Sequence, residues 1–163
     1  MREEKISLAH GDGGELSHKL IQQVFVSAFG HDEYARFDSA LIPAGQGKMA
    51  VTTDSFVVKP IFFPGGNVGK LAVAGTVNDL AVSGAKPEYL TAAFMIEEGF
   101  PVKQLETIVE TMAAEAKKAG VRIIAGDTKV VEKGSIDGVY INTTGVGFLP
   151  EDRELEPEKM EIG

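Results

Sequence analysis

Hydrophobic positions along this chain recur at two spacings, and the switches between them predict an order of strands and helices. Lys5 to Ala9 reads as a short extended opening. His10-Gly11-Asp12-Gly13-Gly14 must then be a loop, because glycines this dense admit backbone conformations that other residues avoid. Leu16, Leu20, Ile21, Val24, Phe25 and Ala28 follow at helical spacing and stop at Gly30, which predicts one amphipathic helix. Leu41-Ile42 and Met49 to Thr53 predict strands around an Ala44-Gly45-Gln46-Gly47 turn, the second running into Thr52-Thr53-Asp54-Ser55. Pro60 to Gly66 reads as a loop.

From Asn67 to Val82 the chain is rich in Ala, Gly and Val, with Lys70 and Asp79 its only charges. That pattern predicts a helix packed on most sides and stopped near Gly84. Tyr89 to Ile96 predicts a strand. Pro101 to Ala119 is the clearest helix: Val102, Leu105, Val109, Met112 and Ala116 form the stripe, Pro101 opens the first turn and Gly120 caps the end. Val121 to Ala125 and Val139 to Phe148 predict further strands, with Glu132-Lys133-Gly134 and Asp137-Gly138 as turns between them. The order implies an α+β domain, a mixed sheet with helices on one face.

Composition narrows the classes. At 163 residues and 44% hydrophobic the chain is long enough for one globular domain with a real core. The absence of cysteine excludes disulfides, thiolate metal sites and cysteine nucleophiles within these residues. A net charge of −8 is the wrong sign for wrapping phosphate backbones, so nucleic acid is not an expected partner. No window approaches 18 uninterrupted apolar residues and the N-terminus has no apolar stretch behind its charges, so the expectation is no membrane span, no signal peptide and a cytoplasmic address. Half of the net charge falls in Glu151 to Gly163, which reads as a solvated linker or the start of a further segment.

Three aspartates stand where regular elements are expected to end, each beside small or hydroxyl residues: Asp54 in TTDS, Asp79 in GTVNDLAVSGA and Asp127 in AGDTK. Carboxylates so placed can converge at one edge of a sheet and hold Mg²⁺, a hard cation that takes oxygen ligands. Taken singly, Asp54 and Asp127 are equally what a turn cap needs, whereas a charge at Asp79 in an apolar helix calls for a partner or a metal. The His10 to Gly14 loop has amides that could wrap a polyphosphate, or is simply a turn. It is no dinucleotide fingerprint, because Leu16 stands where the last glycine is required. Gly65 to Leu71 is one residue short of a P-loop and lacks its Ser/Thr. Lys129 could offset negative charge on a phosphate or could be a solvated strand residue. His10, His18 and His31 lack the spacing of a zinc site, and His18 and His31 are expected at the surface.

HGDGG (10–14), the run TTDSFVVKPIFFPGGNVGKLAVAGTVNDLAVSGAKP (52–87) and AGDTKVV (125–131) together resemble the HypE family of hydrogenase maturation proteins. That family lies within the ATP-binding superfamily of aminoimidazole ribonucleotide synthetase, selenophosphate synthetase and thiamine-monophosphate kinase. TTDS, the Asn78-Asp79 pair and GDT are common to the superfamily. FVVKPIFFPGG followed by GKLAVAGTVNDLAVSGA is particular to the family, and the likeness covers nearly all of residues 5 to 150.

The resemblance implies a mostly antiparallel sheet that dimerises through its strands to close a barrel, with ATP beside the interface. It implies Mg²⁺ and nucleotide ligation by Asp54, Asp79 and Asp127, with Asn78 in support. Gly11, Asp12, Gly13 and Gly14 would form the phosphate cover, and Lys129 would polarise the substrate, with Asp79 and Asp127 also counted as catalytic. The implied reaction is ATP-dependent conversion of a carbamoyl group on the protein's own C-terminal cysteine into a thiocyanate. Its implied partners are a second copy, the carbamoyltransferase HypF and the iron-loading HypC–HypD complex. Family members carry a second domain of similar size and end in cysteine. The expectation is therefore an ATP-binding N-terminal domain at 1–150, an acidic linker or the start of a second domain at 151–163, and no turnover by this chain alone. The alternatives are a phosphoryl-transfer enzyme of the thiamine-monophosphate kinase type and a non-catalytic assembly module.

Overall fold

The computed structural model describes residues 5–30, 42 and 47–149. The strand expected at Leu41-Ile42 with its following turn, His31 and the acidic segment Glu151 to Gly163 lie wholly or almost wholly outside the described residues. The described chain builds a four-stranded sheet from β1 (Lys48–Phe56), β4 (Lys86–Glu97), β5 (Arg122–Val131) and β6 (Val139–Leu149). Their order across the sheet is β1-β6-β4-β5, with β1/β6 and β6/β4 antiparallel and β4/β5 parallel. The expected mixed, mostly antiparallel α+β architecture is what forms. The parallel pair needs a crossover, which the helix Val102–Ala119 supplies.

The first helix, α1, runs as Glu15–Leu20, a π-helical turn Ile21–Val26 and a last turn Ser27–Phe29. The π turn holds more than 3.6 residues, so the buried face rotates away from the ideal stripe. Ser17, Leu20, Val24, Phe25 and Val26 are buried, while Leu16 and Ile21, expected inside, are exposed. Phe25 anchors the helix against Phe94 of β4, with ring centroids 4.8 Å apart. The opening segment is extended at Lys5 and Ile6, where the Ile6 amide donates to the Phe100 carbonyl at 2.8 Å and the Ile6 carbonyl accepts the Gly99 amide at 2.7 Å, and then turns at Leu8–His10.

Helix α2 (Val68–Val82) begins where Asn67 caps it: its Oδ1 accepts the amides of Gly69 and Lys70 at 2.9 and 3.2 Å. The Asn67 amide also donates to Thr111 Oγ1 at 2.9 Å, which ties the cap to α3 (Val102–Ala119). Helix α3 buries Leu105, Ile108, Val109, Met112 and Ala116 and stops at Gly120, whose φ of +70° other residues rarely adopt. The loop expected at Pro60 to Gly66 contains a two-residue hairpin, β2 (Phe62–Phe63) with β3 (Gly66–Asn67). Helix α2 is less enclosed than its composition predicts. Only the face of Val68, Ala72, Val73, Thr76 and Leu80 covers the sheet, and Leu71, Asn78, Asp79 and Val82 are exposed.

All three helices lie on one face of the sheet. The other face is open and apolar at its margins, with Met49, Val51 and Val57 exposed to 60%, 58% and 63%. The core between helices and sheet depends on close backbone approach. A Cβ on Gly69 would sit 2.6 Å from the Ile108 carbonyl oxygen and 2.7 Å from Met112 Cγ. Gly69→Ala therefore forces α2 off α3, and urea unfolding should show a loss of about 1–3 kcal/mol.

Candidate functional site

On β1 the residues facing α2 are Ala50, Thr52, Asp54 and Phe56, half-buried in alternation. Phe56 packs where Gly75 has no side chain, since a Cβ there would come within 2.9 Å of the ring. This contact draws α2 over β1 and brings Asp79 beside Asp54. Thr52 Oγ1 donates to Asp79 Oδ2 at 3.2 Å, and Thr76 Oγ1 lies 3.5 Å from Asp54 Oδ2. The Asp54 carboxyl is held above its ordinary value, first by burial and then by the charge of Asp79 and a hydrogen bond with it, while Thr76 pulls the other way. Asp79, expected as a buried charge, is exposed: the helix is apolar all round, but this position lies on its uncovered side.

The other residues singled out above gather at the opposite edge. Asp127 and Lys129 lie within β5 instead of beyond a strand end, because β5 continues beside β4 to Val131. They oppose Ala93 and Met95 and stand together on the open face of the sheet. The glycine loop packs against the same strand, since a Cβ on Gly11 would lie 2.8 Å from the Val130 nitrogen. Within the loop the amides are engaged: Gly11 donates to Leu8 O at 2.9 Å, Gly13 to Ser17 Oγ at 3.0 Å and Gly14 to Asp12 Oδ1 at 2.8 Å. His10 is likewise occupied locally, its Nδ1 accepting the Ser7 amide at 3.0 Å. The expectation of freely presented amides is thus not met in this arrangement of the loop. Beneath the loop is a cavity of about 270 Å³, with Ile21, Phe25, Phe29 and Phe94 as apolar lining and His10, Ser17, Asp127 and Thr128 as polar lining.

Asp54 opposes Thr143, which opposes Ala92, which opposes Gly126. The Asp54–Asp79 pair and Asp127 are therefore three strand spacings apart, roughly 14 Å, on opposite faces of the sheet. The expected convergence of three carboxylates at one edge does not occur within a single chain, because β6 and β4 lie between the strands that carry them. Among the described residues no group of three His, Asp or Glu side chains is arranged to hold a metal. The Asp54–Asp79 pair alone offers an oxygen-only donor set with uncompensated charge, which fits a hard divalent cation completed by water or phosphate oxygens. Asn78 is exposed next to Asp79. Sequence reasoning missed Thr52, Thr76 and Ser17; the only signal was the run of hydroxyl residues beside the aspartates.

The family model for the N-terminal domain of AIR synthase related proteins matches residues 37–149. The chain belongs to the AIR synthase related family. Carbamoyl dehydratase HypE from Rhodobacter capsulatus is 51% identical over 166 residues, covering 100% of this chain and 49% of that protein. A crystal structure of the hydrogenase maturation protein HypE in complex with ATP superposes with a TM-score of 0.85 at 46% identity, covering 88% of this chain and 43% of that one. A HypE–HypF complex structure matches with a TM-score of 0.62 at 61% identity, covering 80% and 42%. This member of the family spans about half the length of the curated relatives it matches. A thiamine-monophosphate kinase from Stenotrophomonas maltophilia, 19% identical with a TM-score of 0.53 over 90% of this chain and 44% of that one, shares the fold alone. No helix among the described residues is long and apolar enough to cross a membrane.

The raised Asp54 carboxyl predicts a pH dependence. In the metal-free chain the folded state keeps a proton that the unfolded state releases near 3.8. Stability therefore falls as pH rises from that value through the raised one. Asp54→Asn should flatten this part of the profile and raise the urea midpoint above it, measured in chelator from pH 3.5 to 7 (roughly the span of ordinary and raised carboxyls).

Proposed function

We propose that this chain is the ATP- and Mg²⁺-binding N-terminal half of a HypE-type carbamoyl dehydratase. The observation that carries the reading is the Asp54–Asp79 pair, a carboxylate couple held at the sheet edge by two threonines in a fold closely similar to an ATP-bound HypE. A cation held there would offset charge on the transferring phosphoryl group. Asp54 and Asp79 would bind it, with Asn78 in support. Gly11, Asp12, Gly13 and Gly14 would cover the phosphates once Ser17 and Asp12 release the loop amides. Asp127 and Lys129, on one face of β5, would act at the reacting end of the substrate.

In the whole protein the carbamoyl oxygen attacks the γ-phosphorus as ADP leaves, and the C–O bond then breaks with release of phosphate. Loss of both nitrogen protons to a base leaves the thiocyanate. These 163 residues include no cysteine to carry that substrate, so no turnover is expected of them alone. The exposed Met49, Val51 and Val57 favour a homodimer built through the open sheet face, which would also bring two edges of different chains together. HypF and the HypC–HypD complex are the proposed partners of the whole protein, and the cytoplasm its proposed place.

Calorimetric titration of ATP should give Mg²⁺-dependent binding that Asp79→Asn abolishes while light scattering still reports a dimer. Binding that survives in Asp79→Asn would refute the assignment of this pair. Val51→Asp should convert the dimer to a monomer in the same scattering measurement, whereas an unchanged mass would move the interface elsewhere.

A further inference from the structure

Among the described residues four polar side chains are buried: Ser17, Asn67, Thr76 and Thr143. Ser17 holds the glycine loop and Asn67 caps α2. Thr76 and Thr143 are both 0% exposed and have no comparable local task, although valine would fill the same space without a hydroxyl to satisfy. Their Oγ1 atoms lie 2.5 Å apart across the contact between α2 and β6. Thr143 Oγ1 also reaches the Ala72 carbonyl at 3.2 Å, the oxygen to which a helical threonine at 76 would normally turn its own proton. Thr76 Oγ1 reaches Asp54 Oδ2 at 3.5 Å.

Each hydroxyl has one proton, so two arrangements satisfy the set. In one, Thr143 donates to Ala72 and Thr76 donates to Thr143, and Asp54 receives nothing. In the other, Thr143 donates to Thr76 and Thr76 donates to Asp54 Oδ2. Only the second supports an ionised Asp54. We propose that Thr76, backed by Thr143, is a positioning residue of the cation site, pinning one oxygen of Asp54 and leaving the other for the metal. Thr52 does the same for Asp79 from β1, so each carboxylate of the pair is oriented by one threonine. The inference rests on the reading of Asp54 and Asp79 as cation ligands.

The test is Mn²⁺ titration followed by electron paramagnetic resonance, with Mn²⁺ alone, on this chain and on Thr76→Val, Thr76→Ser, Thr143→Val and Asp54→Asn, with urea unfolding of each in chelator. Thr76→Val should bind roughly tenfold more weakly. Thr76→Ser, which keeps the hydroxyl, should restore the original affinity even where its packing lowers the urea midpoint. Thr143→Val should weaken binding in the same direction, and it decides the matter if Thr76→Val does not fold. Unchanged Mn²⁺ affinity in folded Thr76→Val, or in Thr143→Val where that variant decides, overturns the inference and leaves the site standing. No Mn²⁺ binding by the unsubstituted chain, or undiminished binding by Asp54→Asn, removes the site itself and the inference with it.

Discussion

The close approach of α2 to the sheet is the constraint on which everything else in this structure depends. It is possible because small residues line the contact. Gly145 of β6 lies under Thr76 and Leu80, where a Cβ would come within 2.7 and 2.9 Å, and Gly75 leaves room for the Phe56 ring. Gly69 admits α3 on the other side. With the helix seated this low, two side chains one helical turn apart, Thr76 and Asp79, both reach β1. A larger residue at any of these glycines would press the helix away from its seat, and at Gly75 its Cβ would also lie 3.8 Å from Asp54 Oδ2.

That seating brings two carboxylates together at a cost. Asp54 is half-buried and faces the charge of Asp79, and both effects favour its protonated form. Among the described residues threonine hydroxyls, not cationic side chains, are the neighbours that hold the pair, so the repulsion between the two carboxylates is not offset. Neutral donors orient a carboxylate without competing for it, which a lysine or arginine at the same position would do. Among the described residues the buried Ser17, Asn67, Thr76 and Thr143 are likewise tied to a loop, a cap or this pair.

The sheet divides the remaining chemistry. The edge strands β1 and β5 carry the aspartates on opposite faces, the first under helix α2 and the second on the open side beside Lys129. The open face carries exposed Met49, Val51 and Val57 at its margin. The glycine loop, with amides bonded to Ser17 and Asp12, lies against β5 at Val130, on the helix-covered side.

Local patterning was enough to read the elements. The Leu105, Val109, Met112 and Ala116 stripe, the Asn67 start, the Gly84 and Gly120 stops and the strand at Val139 to Phe148 all carry their signals within a few residues. Asp54, Asp79 and Asp127 stood out in the sequence as well, because each lies in a short run with hydroxyl or small residues. What the sequence alone could not determine was which of them meet. Asp54 and Asp79 are 25 positions apart and join only because α2 folds back over its own preceding strand, while Asp127 is held off by the insertion of β4 and β6 between the edges. The exposure of Asp79, the shifted stripe of α1 and the bonded loop amides were equally out of reach. Each depends on which face of an element finds a partner across the fold, and that is decided by packing between segments distant in sequence.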